Sequence, residues 1–267
     1  MKAVVITGSS KGIGQGLAYE CLKRGCSVML SGRNESRLGQ EVKKLQAQFG
    51  KDSVAGQRCD VVQYRQVQAL WDAANSAFGK VDIWINNAGI TTAMKLLWEL
   101  DPEEIHRVVN TNIMGIIYGC QVALKGMIAQ RSGQIYNMEG FGSSGMMRPG
   151  MTVYGTTKRA LSYFTESLIE EARDKPVQIG TLAPGMVVTD FMLDELKRMP
   201  EEQRAEVSVI YNILADTVET VTPFLVEQML KNDQTGSKIE WLTEEKAQAR
   251  FEDEEYLQRN LLGRFGL

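Results

Sequence analysis

The sequence predicts a single α/β domain: a doubly wound parallel sheet of about seven strands with helices on both faces. Three observations carry this. Short β-branched runs alternate with longer stretches of helical period, the pattern of strand–helix–strand units whose parallel strands are covered on both sides. The chain has 267 residues, a length that α/β domains commonly reach and that buries enough core to need neither metal nor disulfide. No repeat, low-complexity tract or linker interrupts the alternation. One catalytic domain is therefore expected over 1–243, with 244–267 as an extension of it.

The elements follow in order. Strands are expected over 3–7, 27–31, 54–59, 81–85, 134–137, 177–182 and 238–242, and helices over 12–24, 35–49, 63–78, 101–129, 152–174 and 217–231. Asp101-Pro102-Glu103-Glu104 reads as a helix start, with an Asp N-cap, Pro in the first turn and acidic residues behind it. The charged, Met-rich stretch 189–216 interrupts the alternation after a strand, as a substrate lid would. Trp71, Trp84 and Trp98 are expected to pack rather than stack on a ligand.

Composition excludes several chemistries. Thirty basic residues against 33 acidic give a net charge of −3, so a strongly basic nucleic-acid surface is not the main activity. The single histidine, His106, cannot build a His-rich zinc site, and any Ser-His-Asp triad would have to use it. A surface or interface place is expected for it, and no metal site is expected. Cys21, Cys26, Cys59 and Cys120 form no CxxC pair and suit reduced thiols in a cytoplasmic core. No uninterrupted apolar run approaches the ~18 residues of a membrane span. The first strand begins almost at the first residue, which leaves no room for a targeting peptide.

Glycine is abundant, at 25 residues, and its placement is informative. Thr7-Gly8-Ser9-Ser10-Lys11-Gly12-Ile13-Gly14 lies between the first strand and first helix. Glycines there permit a tight turn and let backbone N–H groups approach a pyrophosphate, to which the helix N-terminus adds partial positive charge. No GK[ST] follows, which argues against a P-loop NTPase. The second strand ends Ser31-Gly32-Arg33, where such folds read the adenosine ribose. An acidic residue there suits NAD; Arg33, with Lys11 nearby, suits the 2′-phosphate of NADP. Asp60-Val61 closes the third strand and can hold adenine. Asn86-Asn87-Ala88-Gly89 closes the fourth, outside the carboxyl ends of the strands where ligands bind.

Tyr154 and Lys158 stand four apart in a helical segment and share a face. A fixed ammonium beside a phenol favours its anion, so the tyrosine can act as acid or base nearer neutrality.

TGSSKGIG, NNAG, Asn112 in NTNIMG, YGTTK and PGMVVT, in this order, resemble the short-chain dehydrogenase/reductase family over about 1–190 and more loosely to about 242. The resemblance implies a Rossmann-type fold and hydride transfer between nicotinamide and a carbonyl or alcohol carbon. It implies that Tyr154 is the acid/base and that Lys158 tunes it and binds the nicotinamide ribose. Asn112 would hold a water of the proton relay, and Pro184, Gly185, Val187 and Thr189 would face the nicotinamide end. It also implies a homodimer or homotetramer. One family feature is missing: the usual catalytic serine falls on Gly140, in Asn137-Met138-Glu139-Gly140. Ser143, Ser144 or a backbone N–H of the glycine-rich turn could replace it, and Glu139 could instead touch the substrate. The NMEGFGSSG stretch, with YNILAD and the Lys238–Thr243 region, is similar to the chlorophyll b reductase branch. The expectation is an NADPH-dependent reductase of a small-molecule aldehyde or ketone, such as a chlorophyll b formyl group. A ketoacyl-type reductase of lipid metabolism and a catalytically weak NADP-binding sensor remain as alternatives.

Overall fold

The computed structural model describes residues 1–199 and 201–267. Each of the seven expected strands is present: β1 (Ala3–Ile6), β2 (Ser27–Gly32), β3 (Val54–Arg58), β4 (Ile83–Asn86), β5 (Gln134–Met138), β6 (Gln178–Ala183) and, after a short pair β7 (Val187–Val188) and β8 (Asp216–Thr217), β9 (Lys238–Glu240). The main sheet runs β3-β2-β1-β4-β5-β6-β9, and every neighbouring pair is parallel. The winding direction reverses between β1 and β4, which opens a crevice at the carboxyl ends of these two strands.

Alternation along each strand feeds two cores, one per face. Val4 and Ile6 of β1 point into one with Leu17, Leu38, Leu225 and Met229. Val5 points into the other with Val67, Leu70, Ile116 and Leu161. Helices α1 (Gly12–Lys23), α2 (Glu35–Phe49) and, late in the chain, α9 (Val218–Lys231) cover the first face. The second is covered by α3 (Tyr64–Phe78), by α4 (Pro102–Val109) continuing into α5 (Gly115–Gln130), and by α6 (Thr152–Glu171). The Asp101 side chain caps α4 by accepting from Glu103 N–H at 2.8 Å, as the sequence predicts. By length and composition 102–130 could cross a membrane, yet its apolar side packs into the second core through Ile116, Cys120, Ala123 and Met127.

Trp71 and Trp84 pack in that core with ring centroids 6.2 Å apart. Trp98 does not: it is 81% exposed on the loop between β4 and α4, a correction to the expected packing. His106 is exposed, and all four cysteines are buried and unbridged.

The predicted lid, of which position 200 lies outside the described residues, is helical. It holds α7 (Asp190–Arg198) and α8 (Glu201–Leu214), bracketed by the parallel β7–β8 pair. The tail after residue 243 forms α10 (Glu244–Glu252) and α11 (Glu254–Leu257) and folds back on α8. Leu196, Val207, Leu261 and Leu262 make a separate apolar cluster there. At its edge Asp216 is buried and accepts from Arg250 (2.6 Å), Arg259 (3.2 Å) and the Trp241 indole (2.7 Å). Burial pushes the Asp216 carboxyl up, but these donors outweigh it and hold it below the ordinary value. The two guanidiniums also lie 4.6 and 4.8 Å from the Tyr256 ring centroid.

Candidate active site

The glycine loop is locked from behind by the end of β4. Thr7 Oγ1 accepts from the N–H groups of Asn87 and Ala88, each at 3.0 Å. The Asn87 carboxamide donates to the carbonyls of Thr7 (2.8 Å) and Gly8 (3.1 Å). Gly8 has φ +65°, and a Cβ there would come within 2.9 Å of Ala88 Cα. A Cβ on Gly14 would lie 2.5 Å from Asn87 Nδ2, so this close packing admits no side chain. The first turn of α1 has no side-chain cap, which leaves its N–H groups to an anion. Ile13 is half-buried against the first core and faces the same turn.

At the outer rim, Lys11 and Arg33 are both exposed and Ser10 lies against Gly32, with the hydroxyl 3.0 Å from where a Gly32 Cβ would be. A third cation joins them. Arg58, at the end of β3, donates to the Arg33 carbonyl at 3.3 Å. Its partner strand brings Arg58 opposite Gly32, a register no local pattern reveals. Asp60 caps its own turn by accepting from Val62 N–H at 3.3 Å, and Val61 is buried against Gly115.

Asn112 sits where helix 102–130 loosens into a π turn, Asn110–Met114. Such turns displace a side chain from the regular helical path and recur at functional sites. Its Oδ1 accepts from Ile90 N–H (2.9 Å), and its Nδ2 donates to the Ile90 carbonyl (2.8 Å) and Thr157 Oγ1 (3.0 Å). One carboxamide thus joins the NNAG segment to α6. Just beyond, the Thr91 and Thr92 hydroxyls are buried without a hydrogen-bond partner among the described residues. Polar atoms left this way in a packed site suit a ligand's polar groups.

Tyr154 and Lys158 project from the first turns of α6. Lys158 is 4% exposed; its ammonium donates to the Met138 carbonyl at 2.8 Å and lies 5.8 Å from the Tyr154 ring centroid. Burial pulls its pKa down to about 8, and the charge of Glu139 opposes that fall. Gly140 faces the pair: a Cβ there would be 2.5 Å from the Tyr154 hydroxyl oxygen and 3.1 Å from Lys158 Cε. The absent serine therefore matches a place already filled by the tyrosine. Ser143 has a different position. Its hydroxyl accepts from Gly140 N–H at 3.3 Å and donates to the Lys158 carbonyl at 3.4 Å, which fastens the turn to α6. It is Gly140, not Ser143, whose Cβ direction meets the tyrosine hydroxyl. Ser144 is exposed. Gly142, at φ +97°, approaches Gly155 so closely that a Cβ would lie 2.6 Å from its Cα.

The crevice closes on the side of β7. Pro184 and Val187 are buried, and Gly185 turns at φ +70° against Leu242. The Thr189 methyl lies 3.7 Å from where a Gly12 Cβ would stand, so the start of segment 189–216 reaches the glycine loop.

A family model described as short chain dehydrogenase matches residues 2–200. The chain belongs to the short-chain dehydrogenases. It is thus an oxidoreductase of a family that binds NAD(P). This short-chain dehydrogenase is 36% identical over 239 residues to the chloroplastic chlorophyll(ide) b reductase NOL of Arabidopsis thaliana, covering 88% of this chain and 67% of that one. It is 32% identical over 256 residues to the probable chlorophyll(ide) b reductase NYC1 of Oryza sativa subsp. japonica, also chloroplastic, covering 90% and 49%. The chain thus spans between half and two thirds of these relatives' length. A short-chain dehydrogenase/reductase from Burkholderia phymatum, solved with NAD, superimposes with a TM-score of 0.78 at 28% identity, covering 97% of this chain and 95% of that one. These plant relatives are chloroplastic, which overturns the cytoplasmic expectation. The early start of β1 carries no weight against that, because the relatives are longer than the matched region.

Proposed function

We propose that this short-chain dehydrogenase is an NADPH-dependent reductase of a bulky aldehyde or ketone, of the class of the chlorophyll b formyl group. The observation that carries it is the Tyr154–Lys158 pair facing Gly140, reached from the glycine loop across one crevice. When bound, the reduced nicotinamide supplies the hydride. Tyr154 donates its hydroxyl proton to the carbonyl oxygen as charge develops there. The Lys158 ammonium, in a site of low dielectric, favours the phenolate left behind. Asn112, whose carboxamide is engaged with Ile90 and Thr157, would hold a water of the proton relay. The Gly140 N–H is engaged with Ser143 Oγ, so the backbone N–H groups of 141 and 142 serve in place of the serine hydroxyl.

Lys11, Arg33 and Arg58 favour the 2′-phosphate of NADP over the bare ribose of NAD. A homodimer or homotetramer built on α5 and α6 is the assembly we expect; Ile128 and Tyr163 lie exposed on them. The test is single-turnover reduction of chlorophyll b and of simpler aromatic aldehydes, followed by NADPH absorbance. Hydroxymethyl product is expected from the parent chain, formed about 10²–10⁴-fold more slowly by Tyr154→Phe. Tight NADPH binding with no turnover across the panel would instead support the sensor alternative, which the missing serine favours.

A further inference from the structure

Glu139 stands where β5 ends, immediately before Gly140. Its N–H donates to the Leu182 carbonyl of β6 at 2.8 Å, which fixes the residue at the carboxyl end of β5. Its carboxylate has no part in the hydride path described above. It lines a polar cavity of about 280 Å³ behind the active-site turn, together with Ser143, Arg159, Glu166 and Lys238. The Lys238 ammonium, brought alongside by the parallel pairing of β6 and β9, lies 3.7 Å from Glu139 and 2.9 Å from Glu240. On the other side of the Glu139 backbone is the Met138 carbonyl, which receives the buried Lys158 ammonium.

We propose that Glu139 is a positioning residue that keeps the Lys158 ammonium charged from behind the turn, with Lys238 setting how much of its charge reaches the site. The inference rests on the reading of Lys158 as partner of Tyr154. A buried ammonium needs a counter-charge or it gives up its proton. Among the described residues, the charged and titratable groups around Lys158 are Tyr154 from its own helix and Glu139 from the end of β5; Asn112 and Gly89, facing it from the π turn and the β4 loop, are neutral. Around Glu139 they are Lys238 with its partner Glu240 on β9, and Arg159 and Glu166 on α6. The Arg159 guanidinium is anchored to the Ser143 carbonyl at 3.0 Å, so Lys238 is the cation paired with Glu139. Glu139 is also the carboxylate that acts to raise the Lys158 pKa against burial. The Glu139 side chain is 12% exposed, and an internal counter-charge explains why an acidic residue stands there.

The experiment needs no substrate for its first arm. The unfolding free energy of the parent minus that of Lys158→Met is followed against pH, which reads the Lys158 titration directly. The same difference is then taken in backgrounds carrying Glu139→Gln, Glu139→Asp, Lys238→Gln and the Glu139→Gln/Lys238→Gln pair. With Glu139→Gln the midpoint is expected to fall by about one pH unit. It should be partly restored in Glu139→Asp, raised in Lys238→Gln, and less sensitive to Lys238 once Glu139 is gone. In the second arm, the alkaline limb of kcat/KM moves in parallel while NADPH affinity stays constant. An unmoved or raised midpoint in folded Glu139→Gln overturns the proposal. If Glu139→Gln does not fold, a Glu139→Asp midpoint equal to the parent's together with an unmoved Lys238→Gln midpoint overturns it equally. A chain that reduces no carbonyl but shows the expected midpoints sinks the reductase reading alone.

Discussion

The nucleotide half of the crevice and its substrate half are built on different terms. Around β1, β2 and β4 the contacts are short, backbone-centred and intolerant: Gly8 and Gly14 are fixed by distances of 2.9 and 2.5 Å to atoms that would meet a Cβ. Around β5 and α6 the decisive feature is a buried charge, Lys158, held by one carbonyl at 2.8 Å and an acidic neighbour. The first half is specified by shape and the second by electrostatics. Substitutions in the two should therefore fail differently, the one through binding and folding, the other through proton transfer and pH.

The sharpest way to break this contrast is Tyr154→Phe. It should cost about 10²–10⁴-fold in kcat, the usual worth of a positioned acid, with NADPH affinity by fluorescence titration unchanged. A parallel loss of affinity would mean that the two halves are not separable.

Lys158→Met comes next. A lysine whose folded pKa, about 8, lies below its unfolded value of 10.5 binds its proton less in the fold. The fold therefore carries an unfavourable contribution below pH 8 that is relieved as pH rises toward 10.5. At pH 7 the variant should be more stable than the parent by up to about 3 kcal/mol in denaturant unfolding, while losing activity. This gain should fade by pH 10.5. The same titration predicts that the parent's kcat/KM falls above pH 8.

On the nucleotide side, Arg33→Ala should weaken NADPH by about 2 kcal/mol and leave NADH nearly unchanged, the value of a charge-assisted contact; Arg58→Ala should do the same more weakly. Equal losses for both cofactors would remove the 2′-phosphate argument. The smallest effect is the most discriminating. Gly140→Ser restores the family residue, yet its Cβ would meet the Tyr154 hydroxyl at 2.5 Å. Displacing the tyrosine costs about 1 kcal/mol of rotamer strain, so kcat should fall by roughly fivefold. A rise in kcat would show that the turn relaxes to accept a serine.

The same contrast governs what the sequence disclosed. The strand–helix alternation, the glycine loop and the Tyr154–Lys158 spacing are local patterns, and each appears where expected. What stayed hidden depends on neighbours distant in sequence. Arg58 joins Arg33 only through the β2–β3 register. The π turn at Asn112 interrupts a segment whose apolar periodicity reads as one unbroken helix. Thr91 and Thr92 lie in plain polar sequence, and only burial without partners distinguishes them. Glu139 beside Lys238 spans the sheet from β5 to β9. Trp98 went the other way, since hydrophobic identity alone cannot tell a core tryptophan from one held out on a loop.

Asp216 links two parts of the chain that would otherwise be exchangeable. It ends segment 189–216, and its guanidinium partners come from 250 and 259, while Leu262 N–H donates to Asn212 Oδ1 at 2.8 Å. Segment 189–216 and the tail are thus one module: a chimera that carries this chain's 189–216 into a relative without its 250–262 would leave a buried carboxylate without its cations. Recombination between substrate specificities in this branch must cross the chain twice, or carry the whole carboxyl end along.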